Sequence, residues 1–203
     1  MKTVILANGE FPKAEKALEI LKSADIIICC DGAVNNLLDF GLEPSLIIGD
    51  LDSVSDIIKQ KYQDIIHHVK EQNTNDLTKA VNWCVANNIL EFDILGATGK
   101  REDHSIANIS LLSEYINKAN VRIVSDYGVF IPIKKATEFN SFVGQQVSIF
   151  AMNPNSEISS TGLKYPLENT KLKNWWNGTL NEAISDKFSL EFNDGSFIVY
   201  LLS

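Results

Sequence analysis

The residues best placed to do chemistry are Asp50 and Asp52, one residue apart in LIIGDLDSV at the end of an apolar run. Leu46, Ile47 and Ile48 read as a buried strand, and Gly49 lets the backbone turn sharply as it leaves the sheet. Two carboxylates side by side at a strand end are costly unless a positive charge sits between them. Mg2+ carrying phosphate suits that position, because hard cations prefer oxygen ligands. Taken alone, the pair could equally be one helix cap and one solvated neighbour.

Other polar residues recur at the ends of strand-like runs. Asn8, Gly9 and Glu10 follow the first run, Asp31 and Gly32 the second, and QNTND with Asp76 the fourth. Gly96, Thr98, Gly99, Lys100, Arg101, Asp103 and His104 follow the fifth. Ligands of an open parallel sheet bind at the carboxyl ends of its strands, so these residues converge on one site. Asp31, Asp50, Asp52 and Asp76 could hold one or two Mg2+ ions, with water and phosphate completing the coordination. Asp76, just ahead of a helical pattern, also suits a cap. Gly96 and Gly99 let backbone N–H groups approach an anion, and Lys100 and Arg101 add positive charge. Neither GxxxxGK[ST] nor GxGxxG occurs, so Walker-type and dinucleotide-binding loops have no support.

The elements that must position these residues follow from periodicity. Strands are expected at Lys2 to Ala7, Asp25 to Cys30, Leu46 to Gly49, Ile65 to Val69, Phe92 to Leu95 and Val121 to Ser125. Helical patterns lie between them: Lys13 to Lys22, Ala33 to Phe40 (stopped by Gly41), Val54 to Tyr62, Asp76 to Asn87 and Asp103 to Lys118. Buried, non-alternating strands between helices predict a mostly parallel α/β sheet. After about Tyr127 the period changes to two, and NDGS at Asn193 to Ser196 is a hairpin signal. The fold class expected is therefore α/β, with an N-terminal parallel-sheet domain over 1–130 and a C-terminal antiparallel β-sandwich over 131–203.

A net charge of −8 argues against nucleic acid or an anionic membrane as partner, and any phosphate ligand would need cations to offset its charge. Cys29, Cys30 and Cys84 form no disulfide framework or zinc spacing and read as core residues of a reduced, cytoplasmic protein. The apolar run in MKTVILANGEFP is too short for a signal peptide or membrane span.

DLDSV also fits the DxDx[TV] nucleophile motif of haloacid dehalogenase-type phosphatases, but there it follows the first strand, and no late acidic pair appears here. Four ordered blocks instead resemble the thiamine pyrophosphokinase family: Asp31-Gly32, GLEPSLIIGDLDS (Gly41 to Ser53), QNTNDLTKA (Gln72 to Ala80) and GATGKREDHSIAN (Gly96 to Asn108). The resemblance implies transfer of pyrophosphate from ATP to the hydroxyl of thiamine, giving thiamine diphosphate and AMP, in a homodimer with active sites between subunits. It implies Mg2+ at Asp31, Asp50, Asp52 and Asp76, and places Gln72, Lys79, Arg101, Asp103 and His104 around the nucleotide, beside Asn8, Gly32, Thr98 and Lys100. The hydroxyl proton would pass to Asp76 or Asp103.

In the second half, GLKYPL (Gly162 to Leu167) and GTLNEA (Gly178 to Ala183) resemble the family's thiamine-side segments and nominate Tyr165, Thr179 and Asn181 for substrate binding. Leu180 and Asn75 stand where the family usually has Ser and Thr. Trp175 and Trp176 could stack on a heterocycle, with at least one expected in the core.

Overall fold

The structure, a computed structural model, describes residues 1–203. The chain divides into two compact units, Met1–Ile109 with Lys118–Asp126, and Ser110–Asn117 with Tyr127–Ser203. No helix is long and apolar enough to cross a membrane.

In the first unit the strands β1 (Thr3–Leu6), β2 (Ile26–Cys30), β3 (Leu46–Gly49), β4 (Ile66–His68), β5 (Glu91–Leu95) and β6 (Asn120–Val124) alternate with helices. The helices are α1 (Glu15–Lys22), α2 (Ala33–Asp39), α3 (Asp56–Lys61), α4 (Asp76–Ala86) and α5 (Glu102–Tyr115), of which residues 102–109 belong to this unit. Gly41, at φ 88, follows α2 as the sequence signalled. The strands pair in parallel in the order β6-β5-β1-β2-β3-β4. Apolar runs such as TVIL and IIICC are buried along nearly their whole length, as strands covered on both faces must be.

The register sets Leu6 beside Cys29 and Leu95, and Cys29 beside Ile47, so the carboxyl ends of four strands come level. The chain runs outward from β1 to β4, and α4 then carries it back to β5 on the other side of β1. That helix buries Leu77, Ala80, Val81 and Cys84 and packs on β1, β2 and β3. The order therefore reverses between β1 and β5, where an open parallel sheet leaves a crevice at its carboxyl edge.

The second unit holds β7 (Gly128–Ile133), β8 (Thr137–Asn140), β9 (Gln146–Ala151), β10 (Glu157–Thr161), β11 (Thr170–Lys171), β12 (Asn181–Glu182), β13 (Lys187–Glu191) and β14 (Phe197–Leu202). Every pairing is antiparallel, in the orders β12-β9-β14-β7 and β11-β10-β13-β8. Alternate residues of both sheets, among them Val147, Ile149, Ile158, Phe188, Leu190, Phe197 and Val199, share one core. The parallel and antiparallel units match the two sequence patterns, and all three cysteines are buried and free.

Two expectations about this unit need correction. NDGS does not close a hairpin, because β13 pairs with β8 and β10 while β14 pairs with β7 and β9. Its Gly195, at φ 80, instead turns the chain from one sheet to the other. Neither tryptophan is in the core: Trp176 is 72% exposed, and Trp175, 41% exposed, meets Phe150 edge-on at 5.8 Å.

Candidate active site

The crevice at the reversal point is a cleft of about 440 Å³ lined at the end of β1 by Asn8 and Gly9, and after β5 by Ala97 and Gly99 to Arg101. Cys30, Asp50, Gln72, Asp76, Lys79, His104 and Asn108 complete much of its wall. Backbone bonds continue past the strand ends and fix these loops: Gly9 N–H donates to Gly96 O at 2.7 Å, and Glu10 N–H to Thr98 O at 2.8 Å. Lys100 adds a side-chain tie, donating from Nζ to the Asn8 carbonyl at 3.1 Å.

Three carboxylates meet beside this cleft. One oxygen from each of Asp31, Asp50 and Asp76 lies within 4.8 Å of the others. Asp31 is buried, leaves β2 at φ 46, and has its backbone N–H bonded to Ile48 O at 2.8 Å. Asp50 accepts from the Asp52 N–H at 3.2 Å and from Gln72 Nε2 at 3.3 Å. Asp76 opens α4 and accepts from Lys79 Nζ at 2.9 Å, an ammonium that is itself buried. The cap of α4 is Asn75, whose Oδ1 accepts the Thr78 N–H at 2.9 Å. That corrects the reading of Asp76 as a cap and leaves its carboxylate in the cluster.

Gly49 explains how the acids come so close. A Cβ there would lie 3.1 Å from Asp31 Cβ and 3.3 Å from Asp76 Cγ, at a φ of 155°. Non-glycine residues at positive φ are uncommon and gather at functional loops. Asp31 (φ 46) and Leu51 (φ 67), just past β2 and β3, and Lys100 (φ 55), in the loop after β5, are three such residues.

Electrostatics pull two of the acids apart. Hydrogen bonds from the Asp52 backbone and then the Gln72 amide hold the Asp50 carboxyl below its usual range. Burial pushes Asp76 up, helped by the charges of Asp50 and Asp31 and opposed by Lys79. Asp31 Oδ1 is buried without a hydrogen-bond partner. An orphaned carboxylate oxygen is costly, and an all-oxygen cluster of anions around it suits a hard divalent cation.

The remaining nominated residues take varied positions. Asp52 lies beyond the turn at Leu51 and outside the group of converging oxygens. Gly32 sits so tightly that a Cβ would come within 2.9 Å of both Asn8 Nδ2 and Ser53 Cβ. Thr98 contributes its carbonyl to the loop tie and is not among the cleft residues. The Arg101 guanidinium forks onto Asp103 at 3.0 and 2.5 Å and holds that carboxyl low. His104 lines the cleft, its N–H donating to Asp103 at 2.9 Å. Asn108, one helical turn beyond His104, was not nominated and also lines the wall. Its spacing of four from His104 was the signal that places both on one helix face.

In the second unit, Asn181 is buried and its amide is engaged at both ends by Tyr165. Nδ2 donates to Tyr165 O at 2.7 Å, and Oδ1 accepts Tyr165 N–H at 3.1 Å. The Tyr165 ring is 60% exposed. Thr179 donates to Trp176 O at 2.8 Å, and Leu180 is 77% exposed at φ 61.

Comparisons with known proteins fit this geometry. Residues 17–125 match the family described as thiamin pyrophosphokinase, catalytic domain, and residues 128–200 match thiamin pyrophosphokinase, substrate-binding domain. Thiamin pyrophosphokinase 1 of Caenorhabditis elegans is 30% identical over 186 residues, covering 83% of this chain and 76% of its own. The Bacillus subtilis thiamine pyrophosphokinase is 28% identical over 212 residues, covering 98% of each. In fold, the crystal structure of thiamine pyrophosphokinase from Bacillus subtilis superposes with a TM-score of 0.83 over 100% of this chain and 99% of that one, at 23% identity. Both halves of the sequence, and the carboxylate-lined crevice within the first, place this chain in the thiamin pyrophosphokinase family.

Proposed function

We propose that the first unit binds ATP with Mg2+, that the second binds thiamine, and that the thiamine hydroxyl attacks the β-phosphorus of ATP. The new bond joins that oxygen to the β-phosphorus. The bridge to the α-phosphorus breaks, its oxygen leaves with AMP, and the hydroxyl proton passes to a base. The observation that carries this is the convergence of Asp31, Asp50 and Asp76 at the crevice, with a buried Asp31 oxygen left unpaired.

Asp31, Asp50 and Asp76 would hold the metal, and Asp52 adds negative charge from beyond the turn at Leu51. A Mg2+ ion held by these carboxylates would supply positive charge to neutralise the phosphates. Gln72 keeps Asp50 ionised and aimed. The Gly96 to Arg101 loop would bind the phosphates, with the Lys100 and Arg101 charges spreading the negative charge that develops. Asn8 and His104 line the nucleotide side, Gly32 and Thr98 support it from behind through Asn8 and the Glu10 backbone, and Lys79 acts by orienting Asp76. The hydroxyl proton passes to Asp76 or Asp103, the first engaged by Lys79 and the second by Arg101.

On the thiamine side, the exposed Tyr165 ring supplies the contact surface, Asn181 fixes the Tyr165 backbone, and Thr179 lies on the same segment as Leu180. The exposed Tyr165, Trp176 and Leu180 side chains also support a homodimer, in which one protomer's thiamine segment meets its partner's cleft. Light scattering should then give twice the chain mass, and a monomer would overturn that assembly.

ATP labelled at the γ-phosphorus tests the reaction itself. The label should appear in a thiamine product, with unlabelled AMP as the other product. Labelled orthophosphate, or hydrolysis of p-nitrophenyl phosphate without ATP, would instead favour a phosphatase.

A further inference from the structure

We infer that Asn75 and Asn108 are positioning residues, a two-amide relay that sets the spacing between the carboxylate cluster and the phosphate-facing loop. The relay has fixed ends. Asn75 Oδ1 accepts the Thr78 N–H at 2.9 Å, and a backbone N–H can only donate. Asn108 Nδ2 donates to the Ala97 carbonyl at 2.8 Å, and a carbonyl can only accept. Between them, Asn75 Nδ2 donates to Asn108 Oδ1 at 3.2 Å. With both ends determined, each amide has one workable orientation, and the bonds run in one direction from α4 through α5 to the loop after β5.

What the relay joins gives it consequence. Asn75 immediately precedes Asp76, so its tether restrains the start of α4, where that carboxylate meets Asp31 and Asp50. Ala97 follows Gly96, whose carbonyl is held by the Gly9 N–H at 2.7 Å, and precedes the loop bearing Lys100 and Arg101. Asn108 is the member that touches both sides. Of the relay's four residues, Asn75, Ala97 and Asn108 line the cleft and Thr78 lies between two that do.

Asn75 also departs from the family's usual Thr. A hydroxyl could cap α4, but it sits on Cβ and lacks the reach of a terminal amide. The amide caps and bridges at once, which gives a physical reason for Asn at this position in this chain. The relay's role rests on Asp76 being a metal ligand as proposed above.

Binding of Mn2+ together with α,β-methylene ATP, which resists cleavage between its α- and β-phosphorus, tests this without turnover. Asn75→Ser keeps a good cap but falls short of Asn108. Asn108→Ala removes the bridge from the other side. Mn2+ binding would be followed by electron paramagnetic resonance, and folding by circular dichroism and thermal melting.

Outer partners of metal ligands typically contribute on the order of tenfold or more in metal affinity. Each single variant should therefore bind Mn2+ with the analogue about tenfold more weakly while melting as a folded protein. The double variant should bind no worse than the weaker single, because both remove the same bridge. Wild-type affinity in either folded single variant, or single effects that multiply in the double, would overturn the relay. If the wild type itself bound no Mn2+ with the analogue, the metal–nucleotide proposal would fail first, and the relay's role with it. A single variant that did not fold would be replaced by Asn75→Thr, with the same two outcomes.

Discussion

Gly49→Ala removes no charge and no hydrogen-bonding side chain, yet it should impair the site. The added methyl would stand 3.1 Å from Asp31 Cβ and 3.3 Å from Asp76 Cγ, so both acids must give by tenths of an ångström. The φ of 155° adds backbone strain. Conformations of this kind cost roughly 1–3 kcal/mol outside glycine. For a domain of this size, about 1 kcal/mol lowers Tm by about 2–4 °C, so the fall should be roughly 2–12 °C. Against a typical stability of about 5–15 kcal/mol, the variant stays folded at room temperature.

The functional loss should therefore be read in a protein that is still folded. A misplacement of about 1 Å at reacting groups can cost about a hundredfold in rate, so a shift of a few tenths in two carboxylates together should cost about tenfold. The assay is kcat/KM for ATP with Mg2+ at saturating thiamine, beside Tm measured in chelator. Full turnover in the variant, whatever its Tm, would refute the view that Gly49 is there to bring Asp31 and Asp76 together.

Three further outcomes are expected. Asp31→Asn, Asp50→Asn and Asp76→Asn should each lower kcat by about a hundredfold or more, whereas Asp52→Asn should cost less, and an equal loss at Asp52 would return it to the cluster. In carboxyl-carbon NMR of the metal-free protein, Asp76 should protonate above the ordinary 3.8 and Asp50 below it. By linkage, Asp50 then contributes stability above its unfolded pKa that is lost as pH falls through its folded one, while Asp76 opposes folding at neutral pH and is relieved on acidification. Mg2+ should drive the Asp76 step to lower pH, and an unmoved step would remove Asp76 as a ligand. Leu180→Asn, which tolerates positive φ better than Leu, should gain about 1 kcal/mol and raise Tm by about 2–4 °C, and an unchanged Tm would show that Leu180 is unstrained.

Much of the site is legible in the chain because its chemistry sits where local patterns end. An apolar run such as IIICC declares a buried strand, and the polar residue after it, Asp31, falls at the sheet edge by strand length alone. Which acids converge is not local. It depends on the segment after β4 bringing Asp76, the first residue of α4, to the edge beside β3, and on Leu51 turning the chain at φ 67 so that Asp50 enters the cluster and Asp52 does not.

The same limit explains the second unit. Strands as short as β11 and β12, with two residues each, carry no readable alternation. Asn181 is nominated by a segment that resembles a binding motif, and its structural partner is not legible there. Its amide pairs with the backbone of Tyr165, sixteen residues away in sequence, a contact that only the sheet creates. NDGS predicted a turn, and there is one, but pairing partners rather than turn residues decide whether a turn closes a hairpin.

The most direct measurement is AMP formation in mixtures of the protein with ATP, Mg2+ and thiamine, each component omitted in turn. AMP should form in the complete mixture, in step with thiamine diphosphate, and in none of the others. AMP or orthophosphate released at the same rate without thiamine would contradict pyrophosphoryl transfer and leave the Asp31, Asp50 and Asp76 cluster with a different reaction to serve.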